Sequence, residues 1–213
     1  MGKKTIYRRL MAMVAVMAVV FTTAFGVSVQ AAETQTYTVT GKFHQTDARS
    51  MLKKVNKFRT GKEAWYYDEQ GSKLKFDSLK KYTYDYELEK IAMQRAMEIS
   101  VLFSHTRPNG ESCFSLYPQS TYNMIGENIA MGTGSYMTVD AAFEMWQEND
   151  YGYEGQGHRR NMLSDGFSCI GIACFEINGD KYWVQEFGNP NSGAKKTKAC
   201  NKTKTKKIKY VKQ

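Results

Sequence analysis

The chain has 213 residues, with 30 lysines and arginines against 21 acids, a formal net charge of +9 and four cysteines. The charge is uneven: four basic residues precede residue 10 and every charged residue from 191 to 213 is lysine, so the segment between is mildly acidic. A nucleic-acid-binding domain would carry its positive charge on a folded face, so this distribution argues against nucleic acid as a partner, while the length suits one domain with its own core.

Lys3, Lys4, Arg8 and Arg9 precede an apolar run from Leu10 to Val29, and Val29-Gln30-Ala31 offers small residues for cleavage. This reads as a signal peptide over 1–31, with the mature chain starting near Ala32, secreted and without a transmembrane segment after cleavage. A retained anchor is the alternative, because the run approaches the ~20 residues that span a bilayer. In an exported chain Cys113, Cys169, Cys174 and Cys200 are free to form disulfides in three arrangements, and Cys113 with Cys174 is the preferred pairing. Cys169 and Cys174, five apart on an expected strand, point to opposite faces and do not suit one another.

Residues 32–46 form an N-terminal extended segment, rich in Thr, Tyr and Val from Gln35 to Phe43. Thr46 and Asp47 offer an N-cap to a first helix carrying Met51, Leu52, Val55 and Phe58 at helical spacing and closed by Gly61. Trp65 to Phe76 flank Gly71-Ser72 as a hairpin or surface loop. A second helix, capped by Asp85, carries the stripe Leu88, Ala92, Ala96, Ile99 and Phe103 and delivers His105 at its C-terminus, where the helix dipole favours the imidazolium. Pro108 and Asn109-Gly110 then turn the chain.

From Glu111 to Ser135 no long period appears, and the segment reads as a loop bracketing a short element with Glu127 in it. Its glycines do not have the spacing of a phosphate-binding loop. A third helix covers about Thr138 to Asn149, with Val139, Ala142, Phe143 and Trp146 on one side and Glu144 and Glu148 on the other. Gly155 to Leu163 reads as a tight turn presenting His158. Phe167–Ile177 and Tyr182–Phe187 form a hairpin about Asn178-Gly179, with Gly171 and Ala173 admitting a helix closely over the sheet. Residues 191–213 read as a flexible lysine-rich tail able to engage an anionic surface. Helices and strands alternate without a regular βαβ rhythm, which predicts an α+β fold, a single α-β-α sandwich with a central antiparallel sheet.

His105-Thr106-Arg107-Pro108-Asn109-Gly110, Gly126-Glu127-Asn128-Ile129-Ala130, Trp146, Gly157-His158-Arg159-Arg160-Asn161-Met162-Leu163 and Tyr182-Trp183-Val184-Gln185-Glu186-Phe187-Gly188 follow one another in an order that resembles the CAP superfamily: cysteine-rich secretory proteins, antigen 5 and plant pathogenesis-related proteins. Its module is the SCP domain, and the form here is similar to bacterial exported members. The resemblance spans about Met51 to Gly188 and implies a CAP/SCP domain over 47–190. It also implies a central cleft lined by two histidines and two glutamates, in which some members bind a divalent metal, often zinc. By motif the histidines are His105 and His158, the expected metal ligands, and the first glutamate is Glu127. The family's second glutamate falls three residues after the helical tryptophan, which here is Asn149; Glu148 or Glu154 would replace it.

The resulting expectation is a cleft tetrad of His105, Glu127, Glu148 and His158, holding Zn2+ or another divalent metal weakly through two imidazoles. No motif places a nucleophile, and Ser104 beside His105 is no triad. These observations favour a secreted, non-catalytic binding module for a lipid, peptide or cell-wall component. A metal-dependent extracellular hydrolase or protease is the alternative, as is a cleft that only crosslinks loops while an outer surface binds a partner.

Overall fold

A computed structural model describes residues 33–212. The expected signal peptide lies outside the described residues. Strand β1 (Thr34–Phe43) leads directly into helix α1 (Gln45–Arg59), and β2 (Trp65–Tyr67) pairs with β3 (Lys73–Lys75) as a separate hairpin. The two-residue strand β4 (Thr83–Tyr84), helix α2 (Tyr86–Ile99), strand β5 (Met124–Thr133), and helices α3 (Val139–Gln147) and α4 (Gly157–Leu163) follow. The chain closes with β6 (Cys169–Ile177), β7 (Asp180–Asn189) and β8 (Thr203–Val211). The main sheet has the order β5-β7-β6-β1-β8, antiparallel throughout, and β4 adds to β6 in parallel.

Side chains alternate across β6 and so create two cores. Ile170, Ile172 and Cys174, with Trp183 and Phe187 of β7, face Met51, Val55, Ala142, Trp146, Met162 and Leu163 of α1, α3 and α4. Ala173 and Phe175, with Val184 and Ile129, face Ala92, Ala96 and Ile99 of α2. The expected α-β-α sandwich is thereby obtained. The close approach of a helix at Gly171 is also found: a Cβ there would lie 2.6 Å from Leu88 Cβ and would strike the backbone of Leu88 and Glu89. Asp85 caps α2 as expected, its carboxylate accepting from the amides of Glu87 and Leu88.

Several expectations are corrected. Helix α1 starts at Gln45 rather than at a Thr46 or Asp47 cap, because the fully buried Gln45 side chain donates to Ile172 O and anchors the first turn to β6. Helix α2 ends at Ile99, where the chain turns through Val101 N and Leu102 N bonded to Glu98 O; His105 therefore lies beyond the helix and not at its dipole. The segment read as a loop contains the ten-residue strand β5, whose alternation was hidden by its polar members Glu127 and Asn128. Residues 157–163 are helical rather than a tight turn.

The segment expected as a tail is, over residues 191–212, not free. Asp85 accepts from Ser192 N and Ser192 Oγ at 2.6 and 2.7 Å, Arg49 donates to Thr197 O at 2.8 Å, and Phe43 N donates to Lys202 O at 3.1 Å. Beyond these staples β8 pairs with β1 over nine residue pairs from Thr34↔Val211 to Lys42↔Thr203. The alternating threonines are good strand formers that the lysine content obscured. All four cysteines are free, so the expected Cys113–Cys174 disulfide is absent; Cys174 faces α1 in the core, whereas Cys113 sits beside Glu127 on the other side of the sheet. Among the described residues no helix is long and apolar enough to cross a membrane.

Candidate functional site: a cleft with two histidine–glutamate pairs

The cleft opens beside β5, an edge of the sheet, where the two helical layers meet. Its volume is about 380 Å³, and it is lined by His105, Glu127, Glu148, Glu154, His158 and Asn161, among others. A larger cavity of about 800 Å³ lies elsewhere, around Arg59, Lys75 and Phe167, and contains no histidine.

On the α2 side, β5 alternation turns Glu127 toward the helix. Its Oε1 lies 2.8 Å from His105 Nδ1, and its Oε2 accepts from Arg95 Nε at 2.7 Å. Arg95 is fully buried, and also donates to Glu98 at 3.1 Å and to Ser104 O at 2.6 Å, fixing the segment that leads to His105. Cys113 N donates to His105 O at 2.9 Å. Burial alone would raise the Glu127 carboxyl, but the bonds from His105 and Arg95 outweigh it and hold it down at about 2.

On the opposite side Glu148, and not Asn149, meets a histidine. The third helix stops at Gln147, and Glu148 has φ 48° and ψ 44°, the left-handed conformation of a helix end. That turn moves the carboxylate off the solvent face predicted for a continuing helix. Oε1 lies 2.5 Å from His158 Nδ1, and Oε2 accepts from Arg159 N at 3.1 Å. Asn149 is instead bonded through Oδ1 to Arg159 at 2.8 Å, and Glu154 lines the rim.

Several residues that carry this geometry had no role assigned from sequence. Arg159, fully buried, donates to the carbonyls of Trp65, Gln147 and Glu63 and stacks 3.9 Å from the Trp65 ring, clamping the chain on both sides of Glu148. Asn128 donates to His158 O at 3.1 Å and accepts from Asn161 at 2.8 Å, tying β5 to α4. The detectable signal for Arg95 was its place within the apolar spacing of α2, where an arginine must find buried partners.

Glu186 also went unassigned. It stands directly opposite Glu127 in the β5–β7 register, is fully buried, and accepts from Tyr117 Oη at 2.7 Å through Oε2, while Oε1 has no hydrogen-bond partner. Burial and then the adjacent Glu127 charge push its carboxyl well above the usual range. A raised carboxyl means that the folded state holds a proton the unfolded chain releases. Stability from this group is therefore full below the ordinary carboxylate value of 4.5 and declines as pH rises above it. Glu186→Gln is expected to raise the urea midpoint at pH 7.5 and to change it little at pH 4; an equal shift at both pH values would contradict the neutral carboxyl.

Each imidazole has a ring nitrogen that could serve a divalent cation. A carboxylate only accepts, so each Nδ1 bonded to one is the donor, and in the neutral imidazole Nε2 then keeps its lone pair, the arrangement that orients histidine ligands. The side chains are 57% exposed for His105 and 34% for His158. His105, Cys113 and Glu127 also place ligand atoms within 4.8 Å of one another, but that set fits less well. Both Glu127 oxygens are already bonded, Arg95 supplies the positive charge there, and burial pushes the Cys113 thiol up to about 12.

No curated protein matches the sequence. The fold resembles an outer surface protein from Borrelia burgdorferi, at 16% identity and TM-score 0.50 over 72% of this chain and 98% of that one. Venom allergen-like protein 4 of Schistosoma mansoni is similar at 17% identity and TM-score 0.49, over 72% and 94%. The profile of the Cysteine-rich secretory protein family, CAP, matches residues 52–187, which include His105, Glu127, Glu148 and His158, and the chain belongs to that family.

Proposed function

We propose that this CAP-domain protein is an exported, non-catalytic binding module whose His105 and His158 together hold a divalent cation, zinc foremost, at the floor of an open cleft. The observation that carries the reading is the duplicated pair: each imidazole is bonded through Nδ1 to its own carboxylate, at 2.8 and 2.5 Å, within one cleft. Two protein ligands are fewer than a typical catalytic zinc has, so the affinity is modest. A bound cation would polarise an oxygen of a ligand entering the cleft, such as a lipid headgroup, a peptide or a wall fragment.

The surroundings favour binding over hydrolysis. Cys113 is held as a thiol, and Ser104 Oγ accepts from Thr106 N at 3.0 Å with no base placed to activate it. Calorimetry should show zinc binding to the wild type that falls at least tenfold in His105→Ala and disappears in the His105→Ala/His158→Ala double variant. Undiminished binding in the double variant would refute the assignment, and metal-dependent turnover of a peptide or wall substrate, lost in His158→Ala, would replace the binding module by a hydrolase.

A further inference from the structure

The β1–β8 ribbon forms the sheet edge opposite the cleft, four strand spacings of about 4.8 Å away from β5. Its register places Thr36 opposite Lys209, Thr38 opposite Lys207, Thr40 opposite Thr205 and Lys42 opposite Thr203, and opposed residues share a face. Thr40 Oγ1 and Thr205 Oγ1 lie 2.9 Å apart, as that sharing requires. Val39, Phe43 and Ile208 turn to the other face and pack with the α2 core. All eight residues of those four pairs are exposed.

That face is an array of hydroxyls and ammonium groups. Two acids beside the ribbon are already engaged: Glu176 by His44 Nε2 at 2.7 Å, and Glu33 by Lys212 at 3.3 Å. Lys204 and Lys206 of the same strand lie on the opposite face, opposed to Gly41 and Val39, and Lys206 donates there to Gln94 at 2.9 Å. Folding of residues 191–212 thus places their positive charge on a structured surface, which removes the ground on which charge distribution spoke against nucleic acid.

We propose that this threonine–lysine face binds a linear, polyol-type phosphodiester polymer lying along β8. Lys207 and Lys209, two residues apart on β8, stand about 6.8 Å apart on one side and meet successive phosphates of an extended chain, with Lys42 further along the same face. The threonine row supplies hydroxyls for phosphate and polyol oxygens. Tyr37 and Tyr210 lie on the other face, with Ile208, so the array offers no ring for base stacking and no apolar anchor for a bilayer interface. Charge complementarity and the missing rings favour a polyol phosphate over nucleic acid or membrane. The inference does not rest on the cleft.

The test uses the full chain on immobilised, delipidated poly(glycerol phosphate). The wild type should be retained at low salt and released as salt rises. Changing Lys42, Lys207 and Lys209 together to Gln should weaken retention at least tenfold, and changing the same three to Arg should preserve it. Changing the exposed Lys53, Lys57 and Lys62 to Gln, an equal loss of charge, should cost less than threefold. Equal losses in the two glutamine sets would overturn the proposal, as would preference for single-stranded DNA or phosphatidylglycerol vesicles. So would a Lys42, Lys207 and Lys209 glutamine set that keeps full retention while self-associating, the result expected if the lysines only guard an open sheet edge.

Discussion

Replacing Gly171 with alanine is expected to destabilise the fold by about 3 kcal/mol or more, at the upper end of overpacking costs. Gly171 lies on β6 directly under the first turn of α2, and a Cβ there would meet Leu88 Cβ at 2.6 Å as well as the backbone of Leu88 and Glu89. Backbone cannot yield as a flexible side chain does. Relief requires lifting α2, which would open the core of Ala92, Ala96, Ile99 and Ala173 and displace Arg95 from Glu127. Urea unfolding of Gly171→Ala beside Ala173→Gly measures this; a loss below about 1 kcal/mol in the first would show that α2 tolerates displacement.

The second large effect is expected from Glu127→Ala. Arg95 and Glu127 are both fully buried at their side chains, and removing one partner of a buried pair costs about 3–5 kcal/mol because the other charge stays desolvated. Glu98, which also accepts from Arg95, retains part of the pairing and places the expected loss near the lower figure, about 3 kcal/mol. The pH dependence has a definite sign. A carboxyl depressed to about 2 contributes stability above its ordinary value of 4.5, and that contribution is lost as pH falls toward 2. Wild type should lose stability faster than Glu127→Ala through this window. Parallel curves would mean that Glu127 does not carry the charge assigned to it.

These two sites show how unevenly the molecule could be read from sequence. The α2 boundary at Asp85, the hairpin at Asn178-Gly179 and the close approach at Gly171 were legible because each depends on a local rule about caps, turns or side-chain size. His105, Glu127 and His158 were found through ordered motifs, and the cleft includes all three. Glu148 required knowing where α3 stops: a helix continued to Asn149 points it to solvent, whereas the left-handed residue at 148 points it to His158. Arg159 of α4 sets that stop by bonding Gln147 O and Asn149, a tertiary effect that no local period contains. Strand β8 was missed for a different reason: a lysine–threonine sequence has few apolar residues, and its stability comes from a complete ladder with β1 and a single buried Ile208.

The proposed cation site rests on two histidines oriented by separate glutamates. Anomalous diffraction from a crystal of the full chain soaked in zinc tests it most directly, because it locates the ion rather than counting it. The expected result is a zinc peak in the cleft ligated by His105 and His158, with Glu127 and Glu148 remaining on their Nδ1 atoms. A peak at His44 and Glu176, the other histidine–carboxylate pair among the described residues, or at Cys113 with the cleft imidazoles empty, would contradict the account.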